Sequence, residues 1–294
     1  MLGAAGIADS AVLPAITASR NGRAVAIASR TADRARELAT HHQIERVLPD
    51  YEAVLADPDV DAVYIPLPNN LHCEWTLRAL AAGKHVLCEK PIGMSSEEAE
   101  EMAAASADSG LQVMEAFMYR FHPRTRAFVE RVRAGERPVH VQAGFGFTLK
   151  KPDDYRFRRH LGGGSLLDVG CYAVSVSRWL LGEPDTVLAL GRVDPVTDVD
   201  MSVTAVLGYE DGASAAVWCS FESAEAQGLT VVTHNESLSL EKPFSSHRDP
   251  EDHYQLMVES FGDSVLERKP VAISMEESIA NMRVLDRIRE AARI

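Results

Sequence analysis

The 294-residue chain has only four cysteines, and no two of them form a C-x-x-C pair. Scattered cysteines of this kind give no zinc-binding pattern and suit a reducing cytoplasm. We therefore expect a cytoplasmic protein without a metal site. The four are Cys73, Cys88, Cys171 and Cys219.

Basic residues are also scarce, since 30 Lys and Arg stand against 43 Asp and Glu. The net charge of −13 argues against nonspecific nucleic-acid binding, which depends on neutralising phosphates, and against an anionic membrane surface. No apolar run approaches the length of a membrane-spanning helix. No signal peptide is predicted, because the start lacks a basic stretch and its apolar run stops at Asp9.

The first half of the chain alternates between short apolar runs and helical patterns. Strands without a polar face, separated by helices, predict a parallel sheet covered on both sides. The predicted strands cover 23–29, 47–48, 62–66, 85–88 and 112–116, and the predicted helices cover 6–19, 31–42, 50–56, 71–82 and 95–109. Pro14 suits a helix that properly begins near Leu13, and Gly83 a helix end.

The second half has longer, alternating strands and an Asp211-Gly212 hairpin turn. The predicted strands are 139–149, 186–193, 200–209, 213–221, 228–233 and 237–241, with helices at 122–134, 166–181, 254–267 and 275–292. The fold class is therefore α/β: a doubly wound parallel sheet, then an α+β domain with a mostly antiparallel sheet. We place the boundary at 117–121, which gives domains 1–118 and 119–294.

The opening MLGAAGIADS resembles the turn between the first strand and first helix of a dinucleotide-binding fold. Gly3, Ala5 and Ala8 match G-x-G-x-x-G/A, with alanine at the middle position where the backbone approaches pyrophosphate. Small residues at a helix start are common, so this signal is weak by itself. Only Met1 and Leu2 precede the turn, whereas a strand needs about five or six residues.

The strand at 23–29 ends in Ser29-Arg30, where NAD-specific enzymes place an acid for the ribose 2′-hydroxyl. A hydroxyl and a guanidinium suit the 2′-phosphate of NADP instead. Arg34, one helical turn later, adds positive charge. NADP is therefore favoured over NAD, against the alternative of ordinary surface arginines at a solvated helix start.

Two other stretches carry candidate catalytic groups. Glu89-Lys90 follows an apolar strand directly, and the carboxyl ends of parallel strands face the ligand crevice; the alternative is a surface salt bridge. Asp168 and Tyr172 follow Gly162-Gly163-Gly164 at helical spacing, so an acid and a phenol share one face. The alternative there is a glycine-rich helix start with Asp168 near its positive end.

These pieces together resemble the Gfo/Idh/MocA family (glucose-fructose oxidoreductase, inositol dehydrogenase and rhizopine catabolism). The matching stretches span the chain in the family's order: GAAGIA, ASR, PLPNNLH, CEKP, EAFMYRFHP, YRFRRHLGGGSLLDVGCY and NMRVLDRIREAA. The resemblance implies a Rossmann domain, a C-terminal domain with a large open sheet, and homodimers or homotetramers through that sheet. It also implies hydride transfer between NAD(P) and a sugar or polyol.

The resemblance implies a role for each matching residue. Lys90 lies by the nicotinamide and the substrate oxygen, Tyr172 donates or accepts the proton, and Asp168 supports the pair. A tyrosine at 172 points to the branch resembling glucose-fructose oxidoreductase, dihydrodiol dehydrogenase, xylose dehydrogenases and 3-ketosugar reductases. The implied cofactor residues are Gly3, Ala5, Ile7, Ala8, Ser29, Arg30, Arg34, Leu67, Asn70, His72, Glu89 and Lys90, and the implied substrate residues are Tyr119, Arg120, His122 and Arg156.

The chemistry is consistent with this assignment. A free tyrosine, with a pKa of about 10, needs a nearby ammonium to serve as a base at neutral pH. Because Lys90 and Tyr172 lie in different predicted domains, we expect the site in the cleft between them. For His122, the alternative to substrate binding is packing at a helix start. The basic cluster before the glycines either attracts an anionic substrate or forms a surface loop; its members are Arg156, Arg158 and Arg159.

Two rival functions stay open. One is a cofactor-bound sugar sensor, although such proteins usually lose the lysine that Lys90 represents. The other is a glycoside hydrolase with tightly held NAD, which Ser29 and Arg30 disfavour. Because the family match begins within a motif, we also expect the natural chain to begin several residues upstream of Met1. The sequence predicts neither the substrate's identity nor the direction of the reaction.

Overall fold

The computed structural model of the chain describes residues 1–245 and 248–294 and divides into two compact units. Unit 1 comprises Met1–Gly93, Glu97–Phe121 and Arg248–Ser278. Unit 2 comprises Met94–Ser96, His122–His247 and Ile279–Ile294. After a short excursion at Met94–Ser96, the chain passes to unit 2 at His122, next to the predicted boundary at 117–121. However, the chain returns to unit 1 at Arg248, so the helix predicted at 254–267 belongs to unit 1 and not to the second domain.

The strands and helices largely follow the predicted order. The strands are β1 (Ala26–Ile27), β2 (Arg46–Val47), β3 (Ala62–Ile65), β4 (His85–Cys88), β5 (Val113–Glu115), β6 (His140–Thr148), β7 (Thr186–Val193), β8 (Asp200–Gly208), β9 (Ser214–Ser220), β10 (Glu222–Val232) and β11 (Ser237–Glu241). The α-helices are α1 (Leu13–Ala18), α2 (Ala32–His41), α3 (Tyr51–Ala56), α4 (His72–Ala81), α5 (Ser96–Ser109), α6 (Pro123–Ala134), α7 (Cys171–Leu181), α8 (His253–Glu267) and α9 (Met275–Ala292). None of these described helices is long and apolar enough to cross a membrane.

The first residues of the chain join the two parts of the parallel sheet of unit 1. β1 pairs with β2, and β3, β4 and β5 pair in that order, all parallel. Between them, the Leu2 N–H donates to the Tyr64 carbonyl at 3.0 Å and the Gly3 N–H to the Ala28 carbonyl at 2.8 Å. Residues 1–3 thus lie where a doubly wound sheet has its first strand. The expected upstream residues stay a prediction.

Two elements of unit 1 are shorter than predicted. The strand predicted at 23–29 is reduced to β1, because its partner β2 begins only at Arg46, after the turn that ends α2. Ala28 instead pairs with Leu2. The helix predicted at 6–19 contains a π-helical turn, Ala8–Val12, before α1. Pro14 cannot donate to the Ser10 carbonyl, and the Arg248 guanidinium donates to that carbonyl at 2.6 Å.

Helix α8 is tied into unit 1 by the residues that follow α1. The Asn21 side chain donates to the Glu259 carbonyl at 2.8 Å and to Asp263 Oδ1 at 2.9 Å. Gly262 allows this approach, since a Cβ there would lie 2.7 Å from the Asn21 amide. Nothing local in the sequence marks these contacts, which span more than 230 residues.

Unit 2 contains a six-stranded sheet in the order β11-β10-β6-β9-β8-β7. Only the β6–β9 pair is parallel among these described strands, so the sheet is mostly antiparallel as predicted. Gly212, at φ +83°, forms the predicted hairpin turn between β8 and β9. β10 begins at Glu222, earlier than the predicted 228, and carries a register shift between Glu222 and Ala226.

One face of this sheet is buried and the other carries exposed apolar side chains. Met201, Val203, Ala205 and Leu207 alternate along β8 and are buried. On the opposite face, 66% of the Leu188 surface, 81% of Leu190 and 45% of Val206 are exposed. Strand alternation thus separates a core face from an apolar outer face.

Candidate active site

The glycine-rich loop of unit 1 has the close packing that a dinucleotide fingerprint requires. Gly3 has φ +107°, and a Cβ there would lie 2.9 Å from Leu67 Cδ2. Ala8 is fully buried, whereas Gly6 is exposed at the start of the helical turn. This loop can present backbone N–H groups at a helix start to a phosphate. Ala5 and Ile7, which complete the predicted set, are half-buried.

The three residues predicted to select NADP differ in their surroundings. Arg30 is exposed, while the Ser29 hydroxyl accepts from the Thr31 N–H at 3.2 Å. Arg34 donates to Asp9 at 2.8 Å and to Glu37 at 2.6 Å. Hydrogen bonding to Glu37 raises the pKa of Arg34. Arg30 is therefore the more accessible of the two arginines.

Asp9 gathers further basic groups beside Arg34. Its Oδ1 lies 2.8 Å from His42 Nε2 and 3.3 Å from His41 Nδ1. The hydrogen bond with His42, with further help from Arg34 and His41, lowers the pKa of Asp9. Asp9 is thus paired with Arg34 and both histidines.

The loops that follow β3 and β4 are connected by His72. Its Nδ1 lies 2.8 Å from the Pro91 carbonyl oxygen and its Nε2 lies 2.8 Å from the Leu67 carbonyl oxygen. Burial lowers the pKa of His72, which favours the neutral ring. His72 is fully buried, so it braces the two predicted cofactor loops. Asn70 Oδ1 is buried with no hydrogen-bond partner among the described residues, which suits a polar ligand.

Glu89 and Lys90 directly follow β4, as predicted, and both are half-buried. The Tyr64 hydroxyl donates to Glu89 Oε1 at 2.6 Å, and the Lys90 N–H donates to Glu89 Oε2 at 3.3 Å. Burial, followed by the charge of Glu89, raises the pKa of both Tyr64 and Tyr254. The sequence alone did not identify these two tyrosines, because their partners are distant in the chain.

The glycines of unit 2 form a tightly packed turn. A Cβ on Gly163 would collide with the Arg156 backbone, and one on Gly164, at φ +114°, would collide with Asp200. Asp200 Oδ2 accepts from the Ser165 hydroxyl at 2.9 Å and from the Leu166 N–H at 2.7 Å. This carboxylate therefore anchors the start of the helical segment that carries the candidate catalytic pair.

Asp168 lies in a π-helical turn, Leu166–Gly170, and Tyr172 lies in the first turn of α7. Both are buried. Asp168 Oδ2 accepts from Arg156 Nη1 at 3.1 Å. The Tyr172 ring lies 5.9 Å from Phe145 and 5.3 Å from Phe244, centroid to centroid. Arg156, predicted in the substrate pocket, thus contacts the predicted catalytic acid.

The other predicted substrate residues make structural contacts. Tyr119 is fully buried with its ring edge against Phe117, and Arg120 pairs with Glu277 at 2.9 Å. His122 Nδ1 accepts from the Arg124 N–H at 3.1 Å at the start of α6, which agrees with the packing alternative. Their substrate roles stay predictions.

The basic cluster of the loop before the glycines is partly neutralised. Arg159 pairs with Asp198 at 3.2 Å, while Arg158 is exposed. Only part of this cluster is therefore available to attract an anionic substrate.

Family models match both halves of the chain. The model described as "Oxidoreductase family, NAD-binding Rossmann fold" (GFO_IDH_MocA) matches residues 1–117. The model described as "GFO/IDH/MocA C-terminal domain" matches residues 124–239. The expected family is thus matched in the expected order.

Several characterised proteins are similar over most of the chain. D-xylose 1-dehydrogenase (NADP(+)) 2 of Haloferax volcanii is 40% identical, covering 99% of this chain and 96% of that protein. Trans-1,2-dihydrobenzene-1,2-diol dehydrogenase of Sus scrofa is 36% identical over 70% of this chain and 62% of that protein. The crystal structure of KijD10, a 3-ketoreductase from Actinomadura kijaniata in complex with NADP and TDP-benzene, is 30% identical. The alignment covers 99% of this chain and 96% of the KijD10 chain, with a TM-score of 0.94.

Proposed function

Because the chain belongs to the Gfo/Idh/MocA oxidoreductase family, we propose that it transfers a hydride between NADP and a sugar, ketosugar or related diol. The observation that carries this proposal is the retention of Lys90, Asp168 and Tyr172 within the family's motifs. A sugar sensor on the same fold has no need of this set. Of the relatives reported above, two are named for D-xylose and a dihydrodiol, and KijD10 is named as a 3-ketoreductase, which supports this substrate class.

The residues of unit 1 fit NADP. The loop at Gly3 has no room for a side chain, the buried Asn70 Oδ1 can accept from a ligand donor, and the exposed Arg30 can pair with a 2′-phosphate. The first relative is named as an NADP(+) enzyme and KijD10 is complexed with NADP, which supports the same cofactor here. When bound, the nicotinamide supplies or accepts the hydride.

The protein's own residues manage the proton in this proposal. Oxidation of an alcohol requires a base that takes the hydroxyl proton as hydride leaves carbon. Tyr172 takes that proton at its phenolic oxygen, and the positive charge of Lys90 favours the phenolate. Asp168 supports the pair. In the reductive direction Tyr172 donates the proton to the carbonyl oxygen.

The substrate residues of unit 2 follow from the same proposal. Tyr172 is flanked by Phe145 and Phe244, so an apolar wall stands beside the proton-transfer group. Such walls suit the C–H surface of a sugar or diol, while hydroxyls need polar partners.

A second part of the proposal concerns assembly: the outer face of the six-stranded sheet joins copies of this chain. Leu188 lies opposite Val206 in the β7–β8 register, and both are exposed together with Leu190. Trp218 extends this face across Gly144 and Gly146, where no side chains stand in its way. A flat apolar face that meets the same face of a second copy forms a closed two-fold interface.

Direct titration of the purified chain with NADPH and NADH, followed by nicotinamide fluorescence, tests the proposed function. Tight NADPH binding and weak NADH binding, followed by turnover in a screen of sugars and diols, are the expected results. Failure to bind either dinucleotide would contradict the proposal. Retention of NAD through gel filtration would instead favour the glycoside hydrolase alternative.

A further inference from the structure

We infer that Asp154 and Arg156 are positioning residues, which hold the Asp168 carboxylate in the orientation needed for proton transfer at Tyr172. This inference rests on the proposed function for the reaction itself. It assigns Arg156 a task different from direct substrate binding, and it introduces Asp154, which no motif identifies.

The contacts of the Arg156 guanidinium carry the inference. Its Nε donates to Asp154 Oδ1 and its Nη2 to Asp154 Oδ2, both at 2.9 Å. Its Nη1 donates to Asp168 Oδ2 at 3.1 Å. The guanidinium carbon also lies 5.6 Å from the centre of the Phe147 ring. A planar guanidinium that is held by the Asp154 carboxylate and also donates to Asp168 has a fixed orientation.

The backbone secures the same arrangement. The Arg156 N–H donates to Asp154 Oδ1 at 3.1 Å, and the Gly164 N–H donates to the Arg156 carbonyl at 2.9 Å. The Asp168 N–H in turn contacts the Gly164 carbonyl at 3.3 Å. The segment that carries Arg156 is therefore linked to the segment that carries Asp168 through Gly164, independently of the ion pair.

Charges around the network favour an ionised Asp154 carboxylate beside a charged Arg156 guanidinium. Burial alone would raise the pKa of Asp154, but its hydrogen bonds with Arg156, aided by Lys151, bring that pKa below its usual value. The Asp154 and Asp168 contacts raise the pKa of Arg156 despite its partial burial. Cys219 of β9 also faces Asp168, and burial raises the pKa of its thiol, so it stays neutral.

Steady-state kinetics of Arg156→Gln, Arg156→Lys and Asp154→Asn test the inference. In Arg156→Gln we expect kcat to fall about tenfold or more while the KM for the sugar changes less than about twofold. The apparent pKa on the acidic side of its pH–kcat profile should increase by about 1 pH unit, because Asp168 loses its cationic neighbour. Arg156→Lys keeps the positive charge, so its apparent pKa on the acidic side should stay near that of the wild type although its kcat falls.

Asp154→Asn separates orientation from charge. The substitution removes the carboxylate that holds the Arg156 guanidinium, and it also removes a negative charge. We therefore expect a lower kcat with no increase in the apparent pKa on the acidic side of the profile. Arg131→Gln is the matched control, since Arg131 pairs with Glu236 at 3.0 Å on an exposed surface of unit 2 and does not contact Asp168 in any described hydrogen bond. Its kinetics should equal those of the wild type.

Two results would overturn the inference. A KM increased about tenfold at unchanged kcat in Arg156→Gln would mean that Arg156 binds substrate directly. An unchanged pH profile in a folded Arg156→Gln, verified by circular dichroism and NADPH titration, would mean that Asp168 does not depend on it.

A measurement without turnover separates this inference from the proposed function. Carboxyl ¹³C NMR of the protein, with the Asp168 signal assigned from Asp168→Asn, gives the titration of that group directly. The titration should move to higher pH in Arg156→Gln and not in Arg131→Gln; equal titrations would contradict the network. Loss of the proposed function alone would appear as a wild type that turns over no sugar or diol.

Discussion

At the scale of single residues, Lys90 is the strongest test of the proposed chemistry. Lys90→Ala should reduce kcat by at least about 10²-fold, the usual contribution of an acid–base group, because the Tyr172 phenolate loses its cation. Steady-state turnover measures the loss, and fluorescence titration should show that NADPH still binds. Lys150→Ala, an exposed lysine outside the proposed site, is the control. Near-normal turnover in Lys90→Ala would refute the assignment.

Arg30 is the corresponding test of cofactor preference. Arg30→Ala should raise the Kd for NADPH about tenfold, because a charge-assisted bond to phosphate is lost, and leave that for NADH unchanged. Paired fluorescence titrations give both constants. Arg23→Ala removes another exposed arginine, paired with Glu45, and should change neither. An equal loss for both cofactors would show that Arg30 does not contact the 2′-phosphate.

Sequence patterns identified the residues whose type the proposed chemistry dictates, but not those that hold them. Gly3 and Lys90 could be found because a tight turn and a strand end leave local signals. Tyr64 and Asp154 could not, since a phenol beside Glu89 and an acid beside Arg156 are ordinary residues until the fold brings their partners close. Candidate catalytic and binding residues are thus easier to predict from sequence than the residues that position them.

At the scale of elements, the turn before the π-helical segment depends on Gly164. Gly164→Ala should lower the free energy of unfolding by about 1–3 kcal/mol, because φ +114° strains an alanine and its Cβ collides with Asp200. Urea denaturation measures the change. Gly228→Ala is the matched control, since a Cβ there meets no atom within 4 Å. Equal stability of the two variants would contradict the role of the turn.

Element order was predictable, whereas the ends of elements depended on partners. The apolar run at 85–88 became β4 without change, because both of its neighbours are strands of similar length. The run at 23–29 kept only two strand residues because its partner begins only at Arg46, after the turn that ends α2. Periodicity carries no information about such a partner.

At the scale of the whole molecule, the path of the chain between units was the least predictable feature. The change from short apolar strands to long alternating ones predicts a boundary at 117–121, but the return at Arg248 rests on contacts such as those of Asn21 with Glu259 and Asp263. These residues are polar and locally unremarkable. Only pairing across most of the chain makes α8 part of unit 1.

The outer face of the six-stranded sheet gives the prediction that concerns assembly. Leu190→Asp should shift the protein to a smaller species in light scattering after gel filtration, because a buried, unpaired charge at an interface is strongly unfavourable. Leu266→Asp is the control, since Leu266 is 69% exposed on α8, which belongs to unit 1 and not to the unit of this sheet. That variant should keep the wild-type mass. Identical masses for all three proteins would mean that this apolar face does not join copies of the chain, and its exposed leucines would then need another partner.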